Sequence, residues 1–211
     1  MLYLLQNDLL LMESVDKQIE KHINKIPRGT LFFPEDFADY GSSGAVRLSL
    51  HRLVEKGSIK RVAQGIYVLP KISSLIGEVL PTAEEVAIAI AKRDKARIIP
   101  TGSYALNALG LSTQVPMNAV YLTDGSSRLI KVGRRTILFK KTSPKNLSTQ
   151  GKYSGLVIQA LKEIGNGYVR EDEEQKVIDL LKSEEQDILR HDIKLAPAWI
   201  STIMKKALIK S

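Results

Sequence analysis

Ser42-Ser43-Gly44-Ala45-Val46-Arg47-Leu48-Ser49-Leu50-His51-Arg52-Leu53-Val54-Glu55-Lys56-Gly57 reads as a helix, and Ser58-Ile59-Lys60-Arg61-Val62-Ala63-Gln64-Gly65-Ile66-Tyr67-Val68-Leu69 reads as a hairpin that follows it at once. A serine at the helix start can satisfy an orphan N–H group, and Gly57 supplies the stop. The second run is two short β-rich segments about a turn that contains Gly65. At about 100° per residue, Val46, Leu50, Leu53 and Val54 share one side of the helix. Opposite them lie Gly44, Arg47, Leu48, His51, Arg52 and Lys56. Between Ser42 and Lys71 there are six Lys or Arg and a single acid, Glu55.

Upstream, Ser14 is placed to cap a helix carrying Val15, Ile19, Ile23 and Ile26, which Pro27 ends. Gly29-Thr30-Leu31-Phe32-Phe33 is β-prone, and Pro34-Glu35-Asp36-Phe37 opens a short helix with Pro and acids in its first turn. Helix, strand, short helix, turn, helix and hairpin form the order of a winged helix-turn-helix. In that arrangement Ser43, Arg47, His51 and Arg52 are expected to read base edges. The hairpin, through Lys60, Arg61 and Gln64, is expected to hold DNA backbone or minor groove, and Lys56 on the outward helix face is a further DNA-binding candidate. The alternative is a solvated helix face with an exposed leucine, which many proteins carry.

The 211 residues suit one large or two small domains, and the absence of cysteine removes disulfides, thiolate catalysis and cysteine zinc sites. It also fits a reducing cytoplasm. No apolar run reaches a membrane span of about 20 residues. Met1–Leu11 is leucine-rich but broken by Gln6, Asn7 and Asp8, and lacks the basic start of a secretory signal. It is either an extension of the first helix or a leader ahead of a start at Met12. The formal net charge of +8 is concentrated: residues 81–153 hold 12 Lys/Arg and 4 Asp/Glu, whereas residues 1–80 net only +1.

Pro70 to Pro81 reads as a linker. Beyond it, Thr82 and Glu85 form a capping-box pattern ahead of a helix. Strands are expected at 96–99 and 120–123, with a short helix over 102–110. Leu129–Val132 and Thr136–Lys141 form a hairpin turning at Gly133-Arg134, and Arg128, Lys131, Arg134, Arg135, Lys140 and Lys141 make it a second basic surface. That surface either contacts phosphate or guards a sheet edge against pairing. Helices follow over 154–164, 172–181, 184–190 and 197–209, the second preceded by the acid run Glu171–Glu174. The architecture expected is α+β: an N-terminal winged helix-turn-helix domain over 1–70, a linker over 71–81, and a mixed α/β domain over 82–211 with C-terminal helices.

No catalytic constellation emerges, and no enzyme activity, cofactor or metal is expected. The histidines, His22, His51 and His191, have no ligand-like spacing to further His, Asp or Glu. Phosphate-binding loops and nucleophile elbows are missing. Gly102-Ser103 and Gly125-Ser126 evoke a nucleotidyltransferase site, but the paired carboxylates that would hold magnesium do not follow them.

Ile26-Pro27-Arg28-Gly29-Thr30-Leu31-Phe32, Gly44-Ala45-Val46-Arg47 and Gly65-Ile66-Tyr67-Val68 resemble the N-terminal winged helix of AbiEi-type antitoxins from type IV toxin–antitoxin (abortive-infection, phage-defence) systems. Thr101-Gly102-Ser103-Tyr104-Ala105-Leu106-Asn107-Ala108-Leu109-Gly110-Leu111-Ser112, with Gln114-Val115-Pro116, is similar to the start of that family's second, antitoxin domain. The resemblance covers roughly residues 14–165. It implies a cytoplasmic autorepressor that binds inverted repeats in double-stranded DNA, two copies of a solution monomer per operator. It also implies opposition to a nucleotidyltransferase-like toxin without a tight complex. A ligand-responsive winged-helix regulator unconnected to any toxin is the alternative.

Overall fold

A computed structural model describes residues 14–208. The leucine-rich stretch 1–11, the alternative start at Met12 and Ile209 lie outside the described residues. The protein is α+β, and it divides into two compact units between Thr82 and Ala83.

In the first unit, α1 spans Val15–Ile23 and begins where Ser14 Oγ accepts the Lys17 N–H at 3.4 Å. It ends at Ile23, earlier than its apolar spacing suggests, and Ile26 joins the same core from the turn that follows. β1 (Leu31–Phe32) leads into a 3-10 segment, Pro34–Tyr40, that buries Phe37. α2 spans Ser43–Glu55, and Ser42 Oγ accepts the Ala45 N–H at 3.3 Å. Its core side is Val46, Leu50 and Leu53, as the helical period requires, with Ser49 also buried there. β2 (Lys60–Ala63) and β3 (Ile66–Val68) form the hairpin, and Gly65 at its turn has φ +68, which favours glycine. β1 pairs with the other side of β3, so the sheet order is β1-β3-β2, all antiparallel.

Residues 71–81 are not an unstructured linker. β4 (Lys71–Ser73) and β5 (Gly77–Val79) make a second hairpin closed by the Ser73–Gly77 pair. Pro70 and Pro81 flank this hairpin and do not interrupt it, while Gly77 (φ +74) supplies the left-handed turn residue. Its tip is apolar and open: Leu75 is 92% exposed and Ile76 75%.

In the second unit, α3 (Ala83–Arg93) precedes β6 (Ile98–Thr101), α4 (Ser103–Ala108), β7 (Asn118–Thr123), β8 (Arg128–Val132) and β9 (Arg135–Lys141). A 3-10 turn over Pro144–Leu147 leads to α5 (Ser154–Ile164), α6 (Glu171–Lys182), α7 (Gln186–Ile193) and α8 (Ala198–Lys205). The sheet order is β6-β7-β9-β8. The expected β8–β9 hairpin is present, but β9 inserts parallel to β7, leaving β8 as an edge. α3 packs across β9, burying Val86, Ala87 and Ile90. Val157, Leu161, Val177, Leu181, Leu189 and Ile200 knit the later helices into one apolar cluster.

Two acids hold the approach to α5. Asp192, fully buried, accepts the Gln150 N–H at 3.0 Å, the Gly151 N–H at 2.8 Å and a contact from His191 Nδ1 at 2.8 Å. Glu184 accepts the Ser154 N–H at 3.1 Å and also the Tyr153 N–H. Negative groups at a helix start satisfy its orphan donors and favour its dipole. Asp192→Ala would remove the buried carboxylate that accepts the Gln150 and Gly151 N–H groups. Chemical denaturation should show a loss of about 1.5–3 kcal/mol for this variant, the range for hydrogen bonds to a charged group.

Candidate nucleic-acid interface

The burial of Val46, Leu50 and Leu53 turns Ser43, Arg47 and His51, each one turn from the next, outward as an exposed row. Gly44 and Leu48 flank that row. Leu48 is 49% exposed, and a Cβ added at Gly44 would meet nothing within 4 Å. Arg61 and Gln64 are exposed on the β2–β3 hairpin. Among the described residues, neither Arg47 nor Arg61 has an acid partner.

Of the sequence-predicted residues, Arg52, His51 and Lys60 are engaged by acids, whereas Lys56, the C-cap of α2, is exposed. Arg52 Nη1 bonds Asp16 Oδ2 of α1 at 2.9 Å, so Arg52 ties two helices together and is not a free reader. The Arg52 guanidinium holds the Asp16 carboxyl below the ordinary 3.8, against the opposing effect of burial. His51 Nε2 stands 3.8 Å from Glu55 Oε1, and Lys60 Nζ is 3.2 Å from Glu78 Oε2 on β5. Asp16 and Glu78 left no signal in the sequence, because each partner lies on a different element. His22, in turn, is structural: its Nδ1 meets the Tyr40 hydroxyl at 2.8 Å, beside Phe37.

The six cations of residues 128–141 do not form one surface. The register sets Arg128 opposite Phe139, Ile130 opposite Ile137 and Lys131 opposite Thr136. Residues opposite one another share a face, and faces alternate along a strand. Arg128, Arg135 and Lys141 therefore lie on the face of buried Ile137 and Phe139, Lys131 and Lys140 on the other, and Arg134 in the turn. Arg128 is also consumed: it pairs with Asp94 and its guanidinium sits 5.2 Å from the Phe139 ring centre. Lys131, Arg134, Arg135, Lys140 and Lys141 are exposed, without acid partners among the described residues.

Neither Gly-Ser pair gathers acids into a catalytic pair. Gly102 starts α4 with φ +65, and Gly125 N–H bonds Thr123 Oγ1 at 3.0 Å. Asp124 is taken by Arg97, which lowers its carboxyl below 3.8 through a 2.8 Å side-chain bond and a backbone N–H bond. Among the described residues no three His, Asp or Glu side chains cluster as a metal site would need, and no helix is long and apolar enough to cross a membrane.

The chain belongs to a family of unknown function, DUF6088, whose model matches residues 18–189. No curated protein matches it. The matched span takes in both the α2–hairpin segment and the four-stranded sheet.

The Asp16–Arg52 pair carries a pH signature. A carboxyl whose folded pKa is lowered stabilises the fold above its unfolded value, and that contribution disappears as pH falls through the folded value. Denaturant titrations should therefore find Asp16→Asn less stable than wild type at pH 7, with the gap narrowing progressively as pH falls below the ordinary carboxylate value of 3.8.

Proposed function

We propose that this chain is a double-stranded-DNA-binding repressor that docks α2 in the major groove and steadies it with the β2–β3 hairpin. The observation that carries the reading is the outward row Ser43, Arg47 and His51 on α2, followed by exposed Arg61 and Gln64, with both arginines free of acid partners among the described residues. A major groove admits one helix, and an arginine can bond a guanine edge through two hydrogen bonds. The open surface at Gly44 allows close approach of the helix start to the DNA. Arg52 is a positioning residue that sets α2 on α1. Lys131 and Lys140, exposed together on one face of the β8–β9 pair, add phosphate contacts.

The resemblance of the Ile26–Phe32, Gly44–Arg47, Gly65–Val68 and Gly102–Pro116 segments to AbiEi-type antitoxins extends this reading. On it, the protein is a cytoplasmic, non-enzymatic autorepressor of a type IV toxin–antitoxin operon and counteracts a nucleotidyltransferase-like toxin. Growth rescue on co-expression with the product of the adjacent gene tests that extension.

DNA from upstream of the protein's own gene, titrated by fluorescence anisotropy, tests the core of the proposal. Arg47→Ala should cost about 1–3 kcal/mol and relax sequence preference, the range for losing one bidentate base contact. Arg61→Ala should weaken all sequences alike and flatten the log affinity–log salt slope by about 0.9, one phosphate contact. Folded variants of both that bind like wild type would rule out this face. Replacing Lys131 and Lys140 together by Gln should lower the slope by about one to two units, whereas Arg128→Gln, already paired with Asp94, should leave it unchanged.

A further inference from the structure

The sheet of the second unit has two edges, and they are protected very differently. β8 carries Arg128 and Lys131 and turns at Arg134, the kind of charged edge that resists pairing with another strand. β6 reads Ile98-Ile99-Pro100-Thr101 and carries no charge. Pro100 faces its open side together with Ile98, so that side offers one N–H, from Ile98, and the Ile98 and Pro100 carbonyls. Among the described residues, the backbone of Ile98–Thr101 bonds only to β7, so its outer row of polar groups has no protein partner. Such groups are strong hydrogen-bonding sites that a partner strand can take over from water.

A groove of about 390 Å³ runs along this edge, lined successively by Arg97, Ile98, Ile99 and Pro100. Glu84 and Ile88 of α3 form one wall, and Ile88 is 54% exposed; Lys152, Gly155 and Leu156 around the start of α5 form the other. Gly155 keeps α5 close to the strand, since a Cβ there would stand 2.7 Å from Thr149 Oγ1 and 3.1 Å from Ile99 Cδ1. Arg97 is occupied by Asp124 and the Leu147 carbonyl. Lys152 has no acid partner among the described residues; its ammonium sits 4.9 Å from the Tyr153 ring centre.

We propose that this groove captures a short extended peptide from a partner protein, which adds a strand to β6 and places its terminal carboxylate at Lys152. Four strand residues match a segment of three or four apolar or β-branched residues. An extended backbone presents donors and acceptors at the spacing of the unpaired edge, which a compact small molecule does not. The proposal stands independently of DNA binding.

The test titrates the full-length protein with dye-labelled hexapeptides ending in Val-Thr-Val, Ile-Thr-Val, Val-Ser-Leu or Leu-Thr-Ile, read by fluorescence polarisation. At least one should saturate a single site with Kd below about 100 μM, a modest affinity suited to so short a segment. Amidating the carboxylate or introducing Lys152→Glu should weaken it about fivefold, and Ile88→Glu about tenfold. Both substitutions change exposed residues, and circular dichroism confirms that the variants fold. Methylating alternate peptide nitrogens should abolish binding in one frame and spare it in the other, which apolar docking alone does not produce. The proposal fails if no peptide binds below about 1 mM, or if both methylation frames bind equally. It fails equally if Ile88→Glu binds normally, or if Leu75→Ser with Ile76→Ser removes the signal and so assigns it to the β4–β5 hairpin. Concentration-dependent self-association lost in Ile88→Glu would give the edge to a second copy and also overturn it.

Discussion

The burial of Val46, Leu50 and Leu53 against Ile19, Ile23 and Phe37 governs the first unit. Once one side of α2 is committed to that core, every other residue on the helix has its direction set by the 3.6-residue period. Arg47 and His51 can then only point outward. Arg52, at the boundary of the buried side, reaches Asp16 on the helix that α2 packs against. The same burial thus presents some of the cations and withdraws one of them. An arginine in an ion pair with about half its surface exposed contributes little to stability by itself, but it restricts the angle between the two helices.

In the second unit the corresponding constraint is strand register. Placing β9 between β7 and β8 sends Ile137 and Phe139 to the buried face and carries Arg128, Arg135 and Lys141 with them, while Lys131 and Lys140 go to the other. A local excess of positive charge therefore becomes two separate, smaller fields. At physiological salt, charges separated by more than about 8 Å act largely independently. The basic middle of the chain is better understood as several isolated contacts than as one continuous surface. The same register leaves β6 as an uncharged edge, so the two sides of the sheet differ in what they can accept.

Both units use buried or half-buried acids for architecture. Asp192 and Glu184 satisfy backbone donors ahead of α5, and Asp16 and Glu78 engage cations of the α2–hairpin segment. A census of free charge from composition overstates what is available to a polyanion. What remains available, Arg47 and Arg61 with the exposed β8–β9 lysines and arginines, is a smaller set arranged on defined faces.

Local pattern alone determined the α+β class, the capped α2 with its apolar and basic sides, the β2–β3 and β8–β9 hairpins and the helix over 154–164. Each rests on contacts between near neighbours, whose periods of 3.6 and 2 residues are written directly in the chain. The tertiary structure decided the rest. The β4–β5 hairpin took the place of a linker because flanking prolines look alike whether they border a coil or a strand pair. The parallel β7–β9 pairing, the loss of Arg52, Lys60 and Arg128 to acids on other elements, and the backbone donors held by Asp192 all join residues 18 to 42 positions apart. No local period encodes such partnerships; they exist only once the cores have closed and set which side chains stand within reach.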